Sequence, residues 1–591
     1  MFDNIPIWNS PQEFKDLSSY PYIAIDLETR DPGLKKRGSG SIIGDGEIIG
    51  VAVAVEGWSG YYSFGHEQDN FFSKEAVIKW LQDICALPCP KIFHNAMYDV
   101  CWIHSYGVHI NGIIVDTMIM AAILNENRMY YSLNSLSYLE LGEVKSEKAL
   151  QDAADKKGVD AKSEMYKLPA SMVGGYAEKD AELTLKLFKK FSSQIRQQGL
   201  KKIFDLEVNL FRRLIDMRFQ GVRVDIDKAE RLKHVLETRE KSLLSEVKRI
   251  TGVDVQIWAP RSIAKVFDYL GLDYKRTEKT NAPSFTKDIL STHENEVVKR
   301  IAEARELNKT HTTFIDTIIR YEHKGRIHAD INQIRSDAGG TITGRFSYSN
   351  PNLQQIPSRD DLLGPAVRGL FIPEEGCDWG CFDYSQQEPR LVVHYAADMA
   401  NIERKQAKTI NLGLFYGMGK AKLQASLNLE TRDEAEKLFQ KYHDSVPFVK
   451  SLMDWTSRDA QRLGEIQTIG GRICRFDKWE EAAYRPGVLT PPMTWEEAAK
   501  KFGENSIRRA YTYKALNKLI QGSAADMTKQ AMLDLYEEGI TPHIQVHDEL
   551  DISIEDNAQG KKIVEIMQDA IKLKIKNKVD FEKGSSWGDI K

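Results

Sequence analysis

The hydrophobic pattern of this chain changes character along its length. Over residues 1–198, short apolar runs alternate with helical patterns. Ile23-Ala24-Ile25-Asp26-Leu27-Glu28-Thr29 reads as a strand whose Asp26 and Glu28, two apart, face the same side. Ile48 to Val55 is a second, almost wholly apolar run. This alternation predicts an α/β domain. From Asp205 the pattern turns helical, and residues from about 226 to 325 carry long amphipathic helices and a lysine-rich loop, Lys275 to Lys287. Further on, two short apolar runs end in an acid, and each reads as a buried strand presenting Asp383 or Asp548 at its tip. Between them Arg404, Lys408, Leu412 and Tyr416 recur every four residues, a slowly winding stripe on one helix. No internal repeat or low-complexity tract appears.

Composition changes this picture little. At 591 residues the chain is long enough for several domains with ample core. Its 81 basic and 85 acidic residues leave a net charge of −4, so a polyanion would have to be held in a local cleft. Six cysteines include no Cys-x-x-Cys pair, and Cys377 and Cys381 are expected to flank the Asp383 strand as buried thiols rather than as zinc ligands, which suits a reducing cytoplasm. The apolar runs are too short to cross a bilayer, and the start lacks a basic leader. Arg37-Gly38-Ser39-Gly40-Ser41 is expected to form a flexible rim beside the Asp26 strand.

The chemistry lies in the acids. A carboxylate at the edge of an apolar strand is costly unless paired, and a divalent cation is the commonest reason to have two. Two such ions about 3.5–4 Å apart can activate an attacking oxygen and stabilise a leaving one. The stripe, cationic at one end and apolar to aromatic at the other, suits a nucleoside triphosphate. The competing readings are exposed turn aspartates and an ordinary solvated helix face. At the front, Asp26 and Glu28 are joined by Asn95 and Asp99, four apart on one helical face, and by Tyr176 and Asp180, likewise spaced. Four carboxylates to hold ions and a phenol to orient water are what a two-metal nuclease needs.

The segments around Asp383, Arg404 to Gly417, and Ile544 to Leu550 together resemble motifs A, B and C of family A DNA polymerases. Thr343 to Ser347, Asn350 to Pro357, and Asn517 to Asp526 resemble further segments of that family. The acid and tyrosine motifs at the front resemble the DEDD-type 3′–5′ proofreading exonucleases, tyrosine variety. The resemblance covers essentially the whole chain. It implies an α/β multidomain fold: an RNase H-like exonuclease domain over 1–198, then a right-hand polymerase over 199–591. The thumb would span about 226–325, the palm about 326–394 and 520–591, and the fingers about 395–519.

The resemblance also implies roles. Asp383 and Asp548 would hold two Mg²⁺ ions, for which Mn²⁺ could substitute, with Glu549 beside them and His547 near the primer end. Arg404 and Lys408 would clamp the triphosphate, Leu412 and Tyr416 would meet the nucleotide, and Glu388 would crowd a ribose 2′-hydroxyl. Arg345, Asn517 and Gln521 would read the minor-groove edge. Asp26, Glu28, Asp99 and Asp180 would hold the exonuclease ions, with Tyr176 orienting water and Asn95 on the substrate. The partners implied are primer–template DNA and dNTPs, with no membrane and a monomeric state. A start directly at the exonuclease points to a phage-type enzyme in a bacterial cytoplasm. Two departures stand out. Only 21 positions separate Asp383 from Arg404, where relatives carry several more helical turns, so either the fingers are truncated or a stretch is missing. Leu412 occupies a position the family usually fills with an aromatic residue. The rival reading is an exonuclease whose polymerase half only binds DNA.

Overall fold

The computed structural model of the chain describes residues 8–143, 147–337, 339–357, 362–399, 447–483 and 491–590, together with positions 431, 433, 434, 436 and 437. Arg404, Lys408, Leu412 and Tyr416 lie outside these described residues.

The first half is built on five strands: β1 (Ile23–Arg30), β2 (Glu47–Val55), β3 (Trp58–Ser63), β4 (Lys91–Phe93) and β5 (Ile114–Asp116). They lie in the order β3-β2-β1-β4-β5, with β1 antiparallel to β2 and parallel to β4. The helix Ala170–Gln197 packs across β1, β2 and β3, burying Val173, Ala177, Ala181 and Leu185. Its apolar residues recur every four positions, so a single stripe meets the sheet while Tyr176 and Asp180 ride beside it.

The helix Lys201–Gln220 joins the two halves through two apolar faces. Ile203, Leu206, Phe211 and Ile215 belong to the core around the five-stranded sheet, whereas Leu210, Leu214 and Met217 belong to the second core. One helix thus packs into two cores, which fixes the halves against each other. Polar contacts close the same seam. Buried Arg218 pairs with Asp330, Arg475 Nη1 meets Glu126 at 3.1 Å, and Tyr131 N–H donates to Asp337 Oδ1 at 2.7 Å. Deepest is a four-charge group in which Glu207, Arg472, Asp526 and Lys529 are all buried.

The segment expected as a flexible rim is part of this seam. Leu34–Arg37 forms a short helix, and Gly40 N–H donates to both oxygens of Asp31 at 3.2 and 3.1 Å. Gly38 has φ +78°, and a Cβ there would come to 2.9 Å from Asp330 Oδ2 and 3.1 Å from Asn350 Nδ2. Only glycine fits that backbone against those neighbours. A run of Gly and Ser marks a turn without revealing what packs on it.

In the second half, the helices Ile226–Thr251 and Glu296–Lys309 pack side by side, the first capped by Asp225, whose side chain accepts from Lys228 N–H at 2.8 Å. A four-stranded antiparallel sheet follows in the order Ile544–Val546, Glu549–Ile554, Asp378–Tyr384, Val579–Gly584. Phe382 stacks on Phe581 with ring centroids 4.8 Å apart and planes 4° from parallel, and Leu550 shares that face by register. Trp379, Cys381 and Asp383 alternate onto the opposite face, beside Glu549 and Asp551. Cys381 therefore lies within the strand instead of flanking it, and only Cys377 precedes it. The long helix Ala515–Glu537 packs against the helices Gln387–Met399 and Asn557–Asp569.

Candidate active sites

The first site forms where β1 meets the helix Ala170–Gln197. Asp26 and Glu28 share a face of β1, and Asp180 comes down from the helix, so that one oxygen from each lies within 4.8 Å of the others. Glu28 and Asp180 are buried. Three carboxylates this close repel one another, and burial adds to the cost, so a divalent cation fits them better than water does. Tyr176, one turn before Asp180, is largely buried, and burial followed by the charges of Asp180, Glu28 and Asp26 raises its phenol far above the usual range. At neutral pH it is a hydroxyl donor next to the acids.

Asp99 stands apart from that trio. It is buried in the first turn of the helix Ala96–Ser105, and its Oδ1 accepts from Leu27 N–H at 2.9 Å, the residue between Asp26 and Glu28. Burial and then Asp26 push its carboxyl well above the usual range. Asn95 is not on the helix face expected for it. It is the N-cap residue, with φ 65°. The cause is Asp116, absent from the sequence reading. Its Oδ1 accepts from Asn95 N–H at 3.0 Å and from Met118 N–H at 2.8 Å, while Oδ2 accepts from Ala96 N–H at 2.8 Å. Burial pushes Asp116 up to about 6 despite those donors. The available signal was Val115-Asp116-Thr117, an acid at a strand-to-helix transition where an N-cap is expected.

The second site is the acidic face of the four-stranded sheet. Asp383 lies directly opposite Glu549 on one neighbouring strand and opposite Asp580 on the other. Asp548 occupies the turn between the strands Ile544–Val546 and Glu549–Ile554, where Tyr384 N–H donates to its carbonyl at 3.2 Å. Burial, then Asp548, Glu549 and Asp580, pushes Asp383 up to about 7. Asp548 is also raised by burial, partly offset by Arg345 and His547. Acids crowded enough to hold protons near neutrality suit divalent cations.

The remaining residues surround this pair. Glu388 opens the helix Gln387–Met399 and is bonded to Arg345 Nη2 at 2.5 Å, so the two act as one unit. His547 has φ 57°, and Gln545 Nε2 donates to its carbonyl at 2.5 Å. Gln354 Nε2 in turn donates to Gln545 Oε1 at 3.1 Å, so two glutamines of the segments Asn350 to Pro357 and Ile544 to Leu550, given no role of their own from sequence, hold this turn. Asn517 and Gln521 sit four apart on the helix Ala515–Glu537, both half-buried on one face. Gln387 Nε2 reaches Thr528 Oγ1 at 3.3 Å, tying that helix to the one bearing Glu388.

Comparison with known proteins gives each half of the chain a family. Residues 226–403 and 396–589 match the sequence model of DNA polymerase family A, and residues 12–196 match that of the 3′–5′ exonuclease. The two polymerase stretches meet at 396–403, inside the interval where relatives were expected to carry extra helical turns. A DNA-directed DNA polymerase of Pseudomonas phage M6 is 31% identical over 669 aligned positions, covering 98% of this chain and 96% of its own length. A DNA polymerase DpoZ of Salmonella phage PMBT28 is 28% identical, covering 92% of each chain. DNA polymerase I of Geobacillus stearothermophilus is 28% identical over 92% of this chain and 62% of its own. Among solved structures, the POL domain of Pol1 from M. smegmatis, in complex with DNA primer-template and dNTP, superposes with a TM-score of 0.73 over 97% of both chains. At 21% identity that likeness shows the fold.

Proposed function

The chain belongs to DNA polymerase family A and carries a 3′–5′ exonuclease domain ahead of the polymerase domain; from that premise we propose how its residues divide synthesis from proofreading. It is a DNA-directed DNA polymerase with a proofreading exonuclease, and each activity has its own acidic site. One observation carries the division: Asp383 faces Glu549 across one sheet, while Asp26, Glu28 and Asp180 converge on another.

In synthesis, the primer 3′-oxygen attacks the α-phosphorus of a dNTP and pyrophosphate leaves. Asp383 and Asp548 would hold two divalent ions there, Mg²⁺ in this proposal, whose chemistry would be to make the 3′-hydroxyl more acidic and to neutralise charge on the leaving pyrophosphate. Arg404 and Lys408 clamp the triphosphate. Tyr416 stacks near the insertion site, and Glu388, braced by Arg345, crowds a 2′-hydroxyl. Arg345, Asn517 and Gln521 test base-pair shape from the minor groove. In excision, Asp26, Glu28 and Asp180, with Asp99 beside them, would hold a second pair of ions, Tyr176 orients the attacking water and Asn95 meets the strand. Mispaired primers melt and cross to this site as single strands. The partners are primer–template DNA and dNTPs, the working form is a monomer, and the full-length likeness to phage polymerases supports a role in phage replication.

The test is separation of activities. Asp26→Ala/Glu28→Ala should abolish 3′ degradation by several orders of magnitude while extension continues, because a lost metal-holding acid removes several kcal/mol of transition-state stabilisation. Asp548→Ala should do the reverse. If the unaltered protein degrades primers without ever extending them, the polymerase half is a DNA-binding module, a reading favoured by the short interval before Arg404.

A further inference from the structure

Behind Asp383, on the same face of its sheet, Glu549 meets two side chains, Cys381 and Asp551, that nucleotide transfer does not require. Cys381 is the cross-strand partner of Asp551, one step along from the Asp383–Glu549 pair. The Cys381 thiol and one oxygen each from Glu549 and Asp551 lie within 4.8 Å of one another. Cys381 is 6% exposed and Asp551 is 0% exposed.

Each carboxylate is gripped by an indole. Trp379 Nε1 donates to Asp551 Oδ1 at 2.9 Å, and Trp587 Nε1 donates to Glu549 Oε1 at 3.2 Å. The two rings stack, with centroids 6.1 Å apart and planes 21° from parallel. The other oxygen of Asp551, Oδ2, is fully buried and meets no donor. Among the described residues no Lys, Arg or His forms an ion pair with Glu549 or Asp551. Arg368, whose charge reaches Asp551, packs instead on the Trp587 ring at 4.3 Å. A buried carboxylate oxygen without a donor is expensive unless something positive or protic faces it.

We propose that Cys381, Glu549 and Asp551 bind one thiophilic divalent cation of the Zn²⁺ class. A tetrahedral ion with Zn–S of about 2.3 Å and Zn–O of about 2.0–2.2 Å holds its ligand atoms within about 4 Å of one another, which is compatible with three atoms lying within 4.8 Å. The stacked indoles are the outer hydrogen-bond partners that orient such ligands. The thiol sets the site apart from its all-oxygen neighbours, because hard ions such as Mg²⁺ avoid sulfur. On binding, the Cys381 proton leaves to solvent and a thiolate–cation bond forms, with water completing the fourth position; nothing is oxidised or reduced. The ion would also tie Glu549 back, away from Asp383. The competing arrangement is a proton shared by Glu549 and Asp551 with no ion.

Co²⁺ is the probe, titrated into the chelator-stripped full-length protein. Thiolate-bound Co²⁺ gives a sulfur-to-metal charge-transfer band, whereas Co²⁺ in the two all-oxygen sites gives none. One equivalent of that band is expected, displaced by Zn²⁺. Cys381→Ser should abolish it, Cys377→Ser should leave it, and Asp551→Asn should weaken binding about 10–100-fold. A thermal melt followed by circular dichroism reports that each variant is folded. Absence of the band in the unaltered protein, or its survival in Cys381→Ser, would overturn the proposal in favour of the shared proton.

Discussion

Glu207→Ala should destabilise this protein by about 3–5 kcal/mol, the range for removing one partner of a buried charge group. Glu207 is 0% exposed. It accepts from Lys529 Nζ at 2.7 and 2.9 Å, from Arg472 Nη2 at 2.5 Å and from Gln333 Nε2 at 2.6 Å. Its loss leaves two buried cations with one carboxylate, Asp526. Lys529 accounts for part of this. Burial has already pulled its ammonium down to about 8, and Glu207 is the largest influence holding it up. Without Glu207 the amine would fall the remaining unit and go neutral at pH 7, which adds about 1 kcal/mol at 1.36 kcal/mol per unit; the larger share comes from leaving the buried Arg472 and Gln333 donors short of an acceptor.

At about 2–4 °C per kcal/mol for a domain of this size, the first thermal transition should fall by roughly 6–20 °C, read by calorimetry or circular dichroism. A second variant checks the cause. Glu207→Leu/Lys529→Met removes both charges, leaves Arg472 with Asp526, and should recover most of the loss. The pH dependence has a definite sign. Burial opposes ionisation of Glu207, yet Lys529 and Arg472 hold its carboxyl below the ordinary 4.5. Its stabilisation is therefore complete above about 4.5 and lost as pH falls through the lower folded value, so acid should narrow the gap between parent and Glu207→Ala. A single variant melting within about 2 °C of the parent, or a double variant no better than the single, would refute the account.

Other predictions concern the sites. Glu388→Ala removes the side chain proposed to crowd a 2′-hydroxyl and frees Arg345, so rNTP incorporation should rise about 10–200-fold relative to dNTP; unchanged selectivity would remove Glu388 from that role. Asp383, near 7 without an ion, makes protons compete with the metal. The Mg²⁺ concentration for half-maximal extension should therefore climb up to about tenfold per pH unit below 7 and level off above it; a flat profile from pH 6 to 8.5 would count against the crowding. Leu412→Tyr should selectively raise ddNTP acceptance, and Leu412→Phe should raise only the dNTP rate, in single-nucleotide incorporation assays. Neither changing would mean that Leu412 does not face the nucleotide.

Local pattern carried a large part of this protein. Period-two alternation put Asp26 and Glu28 on one face of β1, and helical spacing put Tyr176 and Asp180 on one face of a helix. Both are properties of a few consecutive residues, so they survive without knowledge of the fold. What the sequence alone left open were properties of closure. Asn95 left its expected helix face because Asp116, from the next strand, takes the backbone N–H groups at that terminus. The Gly-rich segment around Gly38 became part of a seam because Asp330 and Asn350 press against it. The pairing of Asp383 with Glu549 and of Cys381 with Asp551, like the burial of Glu207 with Lys529, joins residues far apart in the chain. Strand register and domain docking decide those contacts, and both follow from which apolar faces must be covered together. A polar side chain is carried along with its element to wherever that burial takes it, and its partners are set there.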